Sequence, residues 1–151
     1  MSGTPPRTDR TSSSWPRLDA IRVLLVDDDL DARELFTEVL ASQGAQVVTA
    51  DAGQEALDAF RAFAPDVIVS DLRMPGMDGF ELIRRIRSGG TARGATTPAV
   101  AVTVLVDPED VVRAMEAGFQ KHVRKPVDPP VLLETVLQLC RGSRARGSEV
   151  T

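Results

Sequence analysis

A single cysteine, Cys140, stands in the 151-residue chain, so no internal disulfide can staple it. That suits a reducing compartment, and a lone cysteine on an apolar helical face reads as core. Long hydrophobic runs are missing too. The longest, residues 99–106, is far too short to cross a bilayer, so no membrane span is expected. The N-terminal stretch lacks the apolar core of a secretory signal, which makes a cytoplasmic location the expectation. Excess charge of one sign is small, −4 overall, but unevenly spread: residues 1–20 carry +1 and residues 141–151 carry +2, leaving −7 on the body between them. An acidic body argues against a nucleic-acid face, and the three arginines of the last stretch read as solvated charge. The length and the 42% hydrophobic content suit one domain with a buried core.

Three regions follow from composition. Residues 1–19 are rich in Ser, Thr, Pro and Arg and too polar to offset the entropy of ordering, so a disordered tail is expected there. Trp15 is the exception and a candidate for docking. Residues 20–141 form the body, and residues 142–151 look like a second loose tail.

Within the body, apolar patterns alternate between two periods. Residues 21–26 (IRVLLV) read as a strand covered on both faces, followed by helical spacing at Ala32, Leu35, Phe36, Val39 and Leu40 that Gly44 closes. Residues 46–50 make a second strand; Ala52, Ala56, Ala59, Phe60 and Phe63 mark a second helix ended by Pro65. Residues 67–70 (VIVS) make a third strand, and Asp78 with Glu81 has the spacing of a capping box opening a third helix. Residues 99–103 (AVAVT) make a fourth strand that is expected to run on toward Val106. Asp107-Pro108 opens a fourth helix, ended by Gly118. Residues 120–124 make a fifth strand, and Asp128-Pro129 opens a fifth helix with Leu133, Val136, Leu137 and Cys140 on its inner face. Five strands alternating with five helices predict an α/β, doubly wound five-stranded parallel sheet.

Polar residues cluster at one kind of position. Asp27, Asp28 and Asp29 directly follow the first strand, Asp71 follows the third, Thr103 ends the fourth and Lys125 follows the fifth. In an open parallel sheet these points share one edge, where ligands bind at the topological switch. Crowded carboxylates call for a cation, and an oxygen-only set with room for water suits Mg²⁺. A divalent cation and a lysine around an aspartate are equipped to stabilise a transferring phosphoryl group, with the aspartate as nucleophile.

The segments VLLVDDD, VIVSDLRMPGMDGFEL, PAVAVT and VRKP, in this order over roughly residues 20–140, resemble the receiver domain of two-component response regulators of the chemotaxis-regulator type. The resemblance implies a flavodoxin-like strand order 2-1-3-4-5. It makes Asp71 the phosphoacceptor, Asp28 a direct Mg²⁺ ligand and Asp27 a water-mediated one, with Arg73 lending its backbone carbonyl. Thr103 becomes the switch hydroxyl, Lys125 the partner of the phosphoryl group, and Lys125-Pro126 a cis peptide. The partners implied are a histidine kinase or phosphotransfer protein and a downstream target. A homodimer through the face of the fourth helix, fifth strand and fifth helix is also implied. The chain would catalyse its own phosphorylation and slow dephosphorylation without being an enzyme otherwise. With no output domain after residue 141, its output would be protein–protein contact or onward phosphotransfer.

Some residues depart from the family pattern. His122 stands where relatives place a tyrosine or phenylalanine switch; histidine changes charge near neutral pH, so a pH-dependent switch is one reading and a half-exposed strand histidine the other. Val104 replaces a small residue, and Arg73 is long and cationic, which together predict slow phosphorylation from small donors and slow hydrolysis. Leu105 and Val106 are either an extension of the strand or part of a docking surface. Asp29 and Asp31 read as partners of a helix N-terminus. The alternative to a phosphoacceptor is a pseudo-receiver, a binding module that is never phosphorylated. A phosphohydrolase would need a second aspartate where Arg73 stands.

Overall fold

A computed structural model describes residues 14–104 and 107–150, with side chains described as far as residue 142. Strands β1 (Arg22–Val26), β2 (Gln46–Ala50), β3 (Val67–Ser70), β4 (Ala99–Thr103) and β5 (Lys121–Arg124) form one all-parallel sheet in the order β2-β1-β3-β4-β5. The apolar runs explain the order of burial. The three central strands are almost continuously hydrophobic and buried along their length, whereas β2 and β5, with polar residues interleaved, take the edges.

Among the described residues six helices cover the sheet: α1 (Leu30–Ser42), α2 (Gly53–Phe63), α3 (Gly79–Arg87), α4 (Ala92–Thr96), α5 (Pro108–Ala117) and α6 (Pro129–Val150). Successive side chains of a strand point to opposite faces, which divides the core in two. Val23 and Leu25 face Phe36, Val39 and Leu40 of α1 and Leu132, Leu133 and Val136 of α6. Leu24 and Val26 face Leu57 and Phe60 of α2, Phe80 and Ile83 of α3, and Ala114 of α5. Cys140 is buried in the first of these clusters, as its helical spacing predicts.

The helix starts follow the expected capping chemistry. The Asp29 carboxylate accepts from the Asp31 N–H, Asp78 from the Glu81 N–H at 2.9 Å, and Asp107 from the Glu109 N–H at 3.0 Å. Only half of the capping box forms, because the Glu81 side chain pairs with Arg85 at 2.6 Å.

Four expectations need correction. The described residues hold six helices, not five: α4 is a single turn in the connection from α3 to β4, too short for a periodic signal, so the expected fourth and fifth helices are α5 and α6. Strand β4 stops at Thr103, and Val104 lies exposed in a bend; Leu105 and Val106 fall outside the described residues. The last helix continues through the segment expected to be a loose tail. No proline interrupts residues 141–150, and a helix already nucleated gains one hydrogen bond for each residue added. At the other end, part of the expected N-terminal tail belongs to the body. Leu18 is fully buried, its N–H donates to the Gln43 carbonyl at 2.7 Å, and Trp15 packs on the same cluster. Trp15 docks locally, as its place in a polar stretch suggested, whereas a lone leucine there has no periodicity to reveal it.

Leu18 gives a direct test of this docking. Leu18→Ala removes a fully buried side chain and is expected to cost about 2–5 kcal/mol of unfolding free energy in urea titration. A loss under about 0.5 kcal/mol, the level of an indifferent surface substitution, would mean that the segment adds nothing to the core.

Candidate functional site

The sheet fixes the site through main-chain hydrogen bonds that continue one residue past the strand ends. The Asp27 N–H donates to the Ala50 carbonyl at 3.1 Å, Asp71 to Val26 at 2.9 Å and Lys125 to Thr103 at 2.8 Å. Each functional side chain therefore leaves a backbone that a neighbouring strand holds. Because the strands are parallel, all of them leave at the same edge.

Three carboxylates meet there. Ligand oxygens of Asp27, Asp28 and Asp71 lie within 4.8 Å of one another, with Asp27 buried, Asp71 nearly so and Asp28 open to solvent. The Lys125 ammonium closes the group from the far strand: Nζ donates to Asp27 Oδ2 at 2.9 Å and to Asp71 Oδ2 at 3.2 Å. The second oxygen of Asp71 accepts from the Arg73 N–H at 3.2 Å, and that of Asp27 from the Asp29 N–H at 3.0 Å. Lys125-Pro126 is cis.

Burial pushes the Asp71 carboxyl above the ordinary aspartate range, and the charge of Asp27 adds to it; Lys125 and the Arg73 N–H pull the other way and do not cancel the effect. For the Lys125 ammonium, burial alone would lower the pKa. Its hydrogen bonds with Asp27 and Asp71 and their negative charges outweigh that and hold it above the usual lysine value. One ammonium against three carboxylates leaves the cluster with an excess of negative charge, and its donors are all oxygen. That donor set fits a hard divalent cation such as Mg²⁺.

Of the residues singled out by sequence, Asp27, Asp28, Asp71 and Lys125 converge. Thr103 is buried at 2% exposure beside them and is tied to Lys125 through its carbonyl. Arg73 contributes its main chain, but its side chain reaches away to Asp110 of α5 at 3.5 Å. His122 stands exposed on β5, in register with Ala101. Val104 is 63% exposed directly after Thr103. Asp29 serves as the cap of α1.

Sequence reasoning missed three supports of the site. Ser70 is buried and donates its hydroxyl to the Asp71 carbonyl at 2.8 Å. Arg33 donates to the Asp27 carbonyl at 2.8 Å. Gly79 presses against the acceptor loop so closely that a Cβ there would sit 2.3 Å from the Asp71 carbonyl oxygen. A glycine at the first position of a helix, just after its cap, was the available signal for that close approach.

Residues 23–137 match the sequence profile of the family described as the response regulator receiver domain. The chain belongs to that family. Among its relatives, an uncharacterized 14.6 kDa protein of Leptolyngbya boryana is 43% identical over 118 residues, covering 78% of this chain and 88% of that protein. The sensor histidine kinase RcsC of Salmonella typhimurium is 38% identical over 136 residues; the match covers 90% of this receiver domain but only 14% of the kinase. Among solved structures, the chemotaxis protein CheY4 of Vibrio cholerae superposes with a TM-score of 0.75 at 32% identity, covering 80% of this chain and 98% of that one. Among the described residues of the receiver domain, no helix is long and apolar enough to cross a membrane.

The raised pKa of Asp71 carries a prediction about stability. Its ionisation is less favourable folded than unfolded, so it opposes folding as pH rises through the ordinary aspartate range and past the folded value. Asp71→Asn is therefore expected to raise the urea midpoint at pH 7, with the gain disappearing below about pH 3, where both states keep the proton. A lower midpoint at pH 7, or a gain that does not change with pH, would contradict this electrostatic account.

Proposed function

We propose that this receiver domain is a Mg²⁺-dependent phosphoacceptor in two-component signalling, with Asp71 as the modified residue. The observation that carries the reading is the Lys125 ammonium shared between Asp27 and Asp71 beside a three-carboxylate oxygen cluster. Asp27, Asp28, Asp71 and the Arg73 carbonyl would hold the Mg²⁺ ion. Bound there, it would supply neutralising charge to the oxygens of the transferring phosphoryl group.

The chain's own groups account for the rest. An ionised Asp71 oxygen attacks phosphorus, the bond from phosphorus to the donor nitrogen breaks, and its electron pair leaves with the imidazole of a kinase or phosphotransfer histidine. A carboxylate held above its usual pKa by burial is a more basic nucleophile once ionised. Lys125 exchanges its contact with Asp71 for one with a phosphoryl oxygen, as a point charge on a flexible stem allows. Thr103, buried at the end of β4 and tied by its carbonyl to Lys125, is placed to turn its hydroxyl toward the new group. The changed face of α5, β5 and α6, which exposes Val112 and Met115 on α5, then presents itself to a target protein or a second copy.

Incubation with Mg²⁺ and acetyl phosphate, or with a panel of histidine kinases, is expected to give an acid-stable, base-labile phosphoryl adduct by mass spectrometry. The adduct should vanish in Asp71→Ala and on chelation of the metal. A chain that stays unmodified with every donor, though folded, would instead be a pseudo-receiver.

A further inference from the structure

Arg73 occupies two positions at once. Its main-chain N–H touches the Asp71 carboxylate at 3.2 Å, while its guanidinium reaches the Asp110 carboxylate at 3.5 Å, 37 residues further along the chain. The pair thus bridges the loop after β3 to the first turn of α5. The Asp110 side chain is well covered, 19% exposed, whereas that of Arg73 is 57% exposed, so the arginine is the partner with room to move. No other ion pair among the described residues joins the acceptor loop to a helix.

An exposed pair of this kind is weak and easily outbid by a denser charge. A phosphoryl group on Asp71 would bring close to two negative charges and three acceptor oxygens within two residues of the same arginine. Guanidinium groups favour such an anion, because their planar fork can donate two hydrogen bonds to it.

Resting on the phosphoacceptor reading above, we propose that Asp110 and the Asp71 phosphoryl group compete for Arg73. In the unmodified chain Asp110 holds the arginine away from the acceptor and so tethers the start of α5. On phosphorylation the guanidinium moves to the phosphoryl oxygens and screens phosphorus from water, and the start of α5 is released. Asp110 is thereby a positioning residue that acts on the lifetime of the signal through Arg73. The exchange also provides a route from the acceptor to α5 that runs outside the buried Thr103 position and ends two residues before the exposed Val112 and five before Met115.

The test is the decay of the phosphoryl adduct in the full chain, followed by mass spectrometry, for wild type, Asp110→Asn, Arg73→Met and the double variant. Removing the competitor frees Arg73 for the phosphoryl group, so Asp110→Asn is expected to lengthen the half-life about two- to five-fold, the range a weak exposed ion pair supports. In the Arg73→Met background the same substitution should change nothing, a pattern that a merely structural role of Asp110 would not produce. Hydrogen exchange at the first-turn amides of α5 should accelerate on phosphorylation of the wild type and already be fast in Arg73→Met. An Asp110→Asn effect of equal size in both backgrounds, or none in either, would overturn the competition. A wild type that forms no adduct at all would remove the phosphoacceptor reading, and this coupling with it.

Discussion

The arrangement depends on one ammonium group. Asp27 and Asp71 leave neighbouring strands with their carboxylates turned to the same edge, where unbalanced negative charge in a poorly solvated place is costly. Lys125, arriving from the opposite side of the sheet across β4, spans both with 2.9 and 3.2 Å contacts and makes the cluster tolerable. It neutralises only part of the charge. The remainder, with Asp28 open to solvent, is what the proposed divalent cation and phosphoryl group would draw on. On that reading stability and function would draw on the same imbalance: a better-neutralised pocket would fold more readily and attract neither.

The same residues explain how far the sequence could be read. Asp27, Asp28, Asp71, Thr103 and Lys125 were legible because each ends or follows an apolar run, and a parallel sheet brings all its carboxyl ends to one edge. The strand bounds of β2 and β3 were legible for the same reason, since apolar runs bounded by polar residues leave little choice of register. Single contacts were not legible. Leu18 lies in a stretch whose composition is that of a solvated tail, and only the hollow beside Gln43 makes it core. The side chain of Arg73 was expected near the acceptor, but its partner Asp110 is distant in sequence and marked by no motif. Helix α4 and the continuation of α6 past Arg141 were missed because neither shows an amphipathic repeat long enough to detect.

Two further residues border the site. Val104 places a branched side chain immediately after the buried threonine, and Arg73 stands beside the acceptor with an anion waiting on α5. Both are exposed to solvent, outside the cluster of carboxylates and lysine. On the proposed reading, the inner residues would perform the chemistry and the outer ones would set its pace.

The central claim is that Asp27, Asp28 and Asp71 form a single oxygen pocket whose charge Lys125 only partly balances. Titration of Mg²⁺ into the ¹⁵N-labelled chain, followed by amide chemical shifts, tests it most directly. Saturating shifts concentrated on residues 27–29, 71–73 and 103–104, and lost in Asp28→Asn, are the predicted result. Shifts that grow without saturation and spread over the acidic surface, or that survive unchanged in Asp28→Asn, would contradict it.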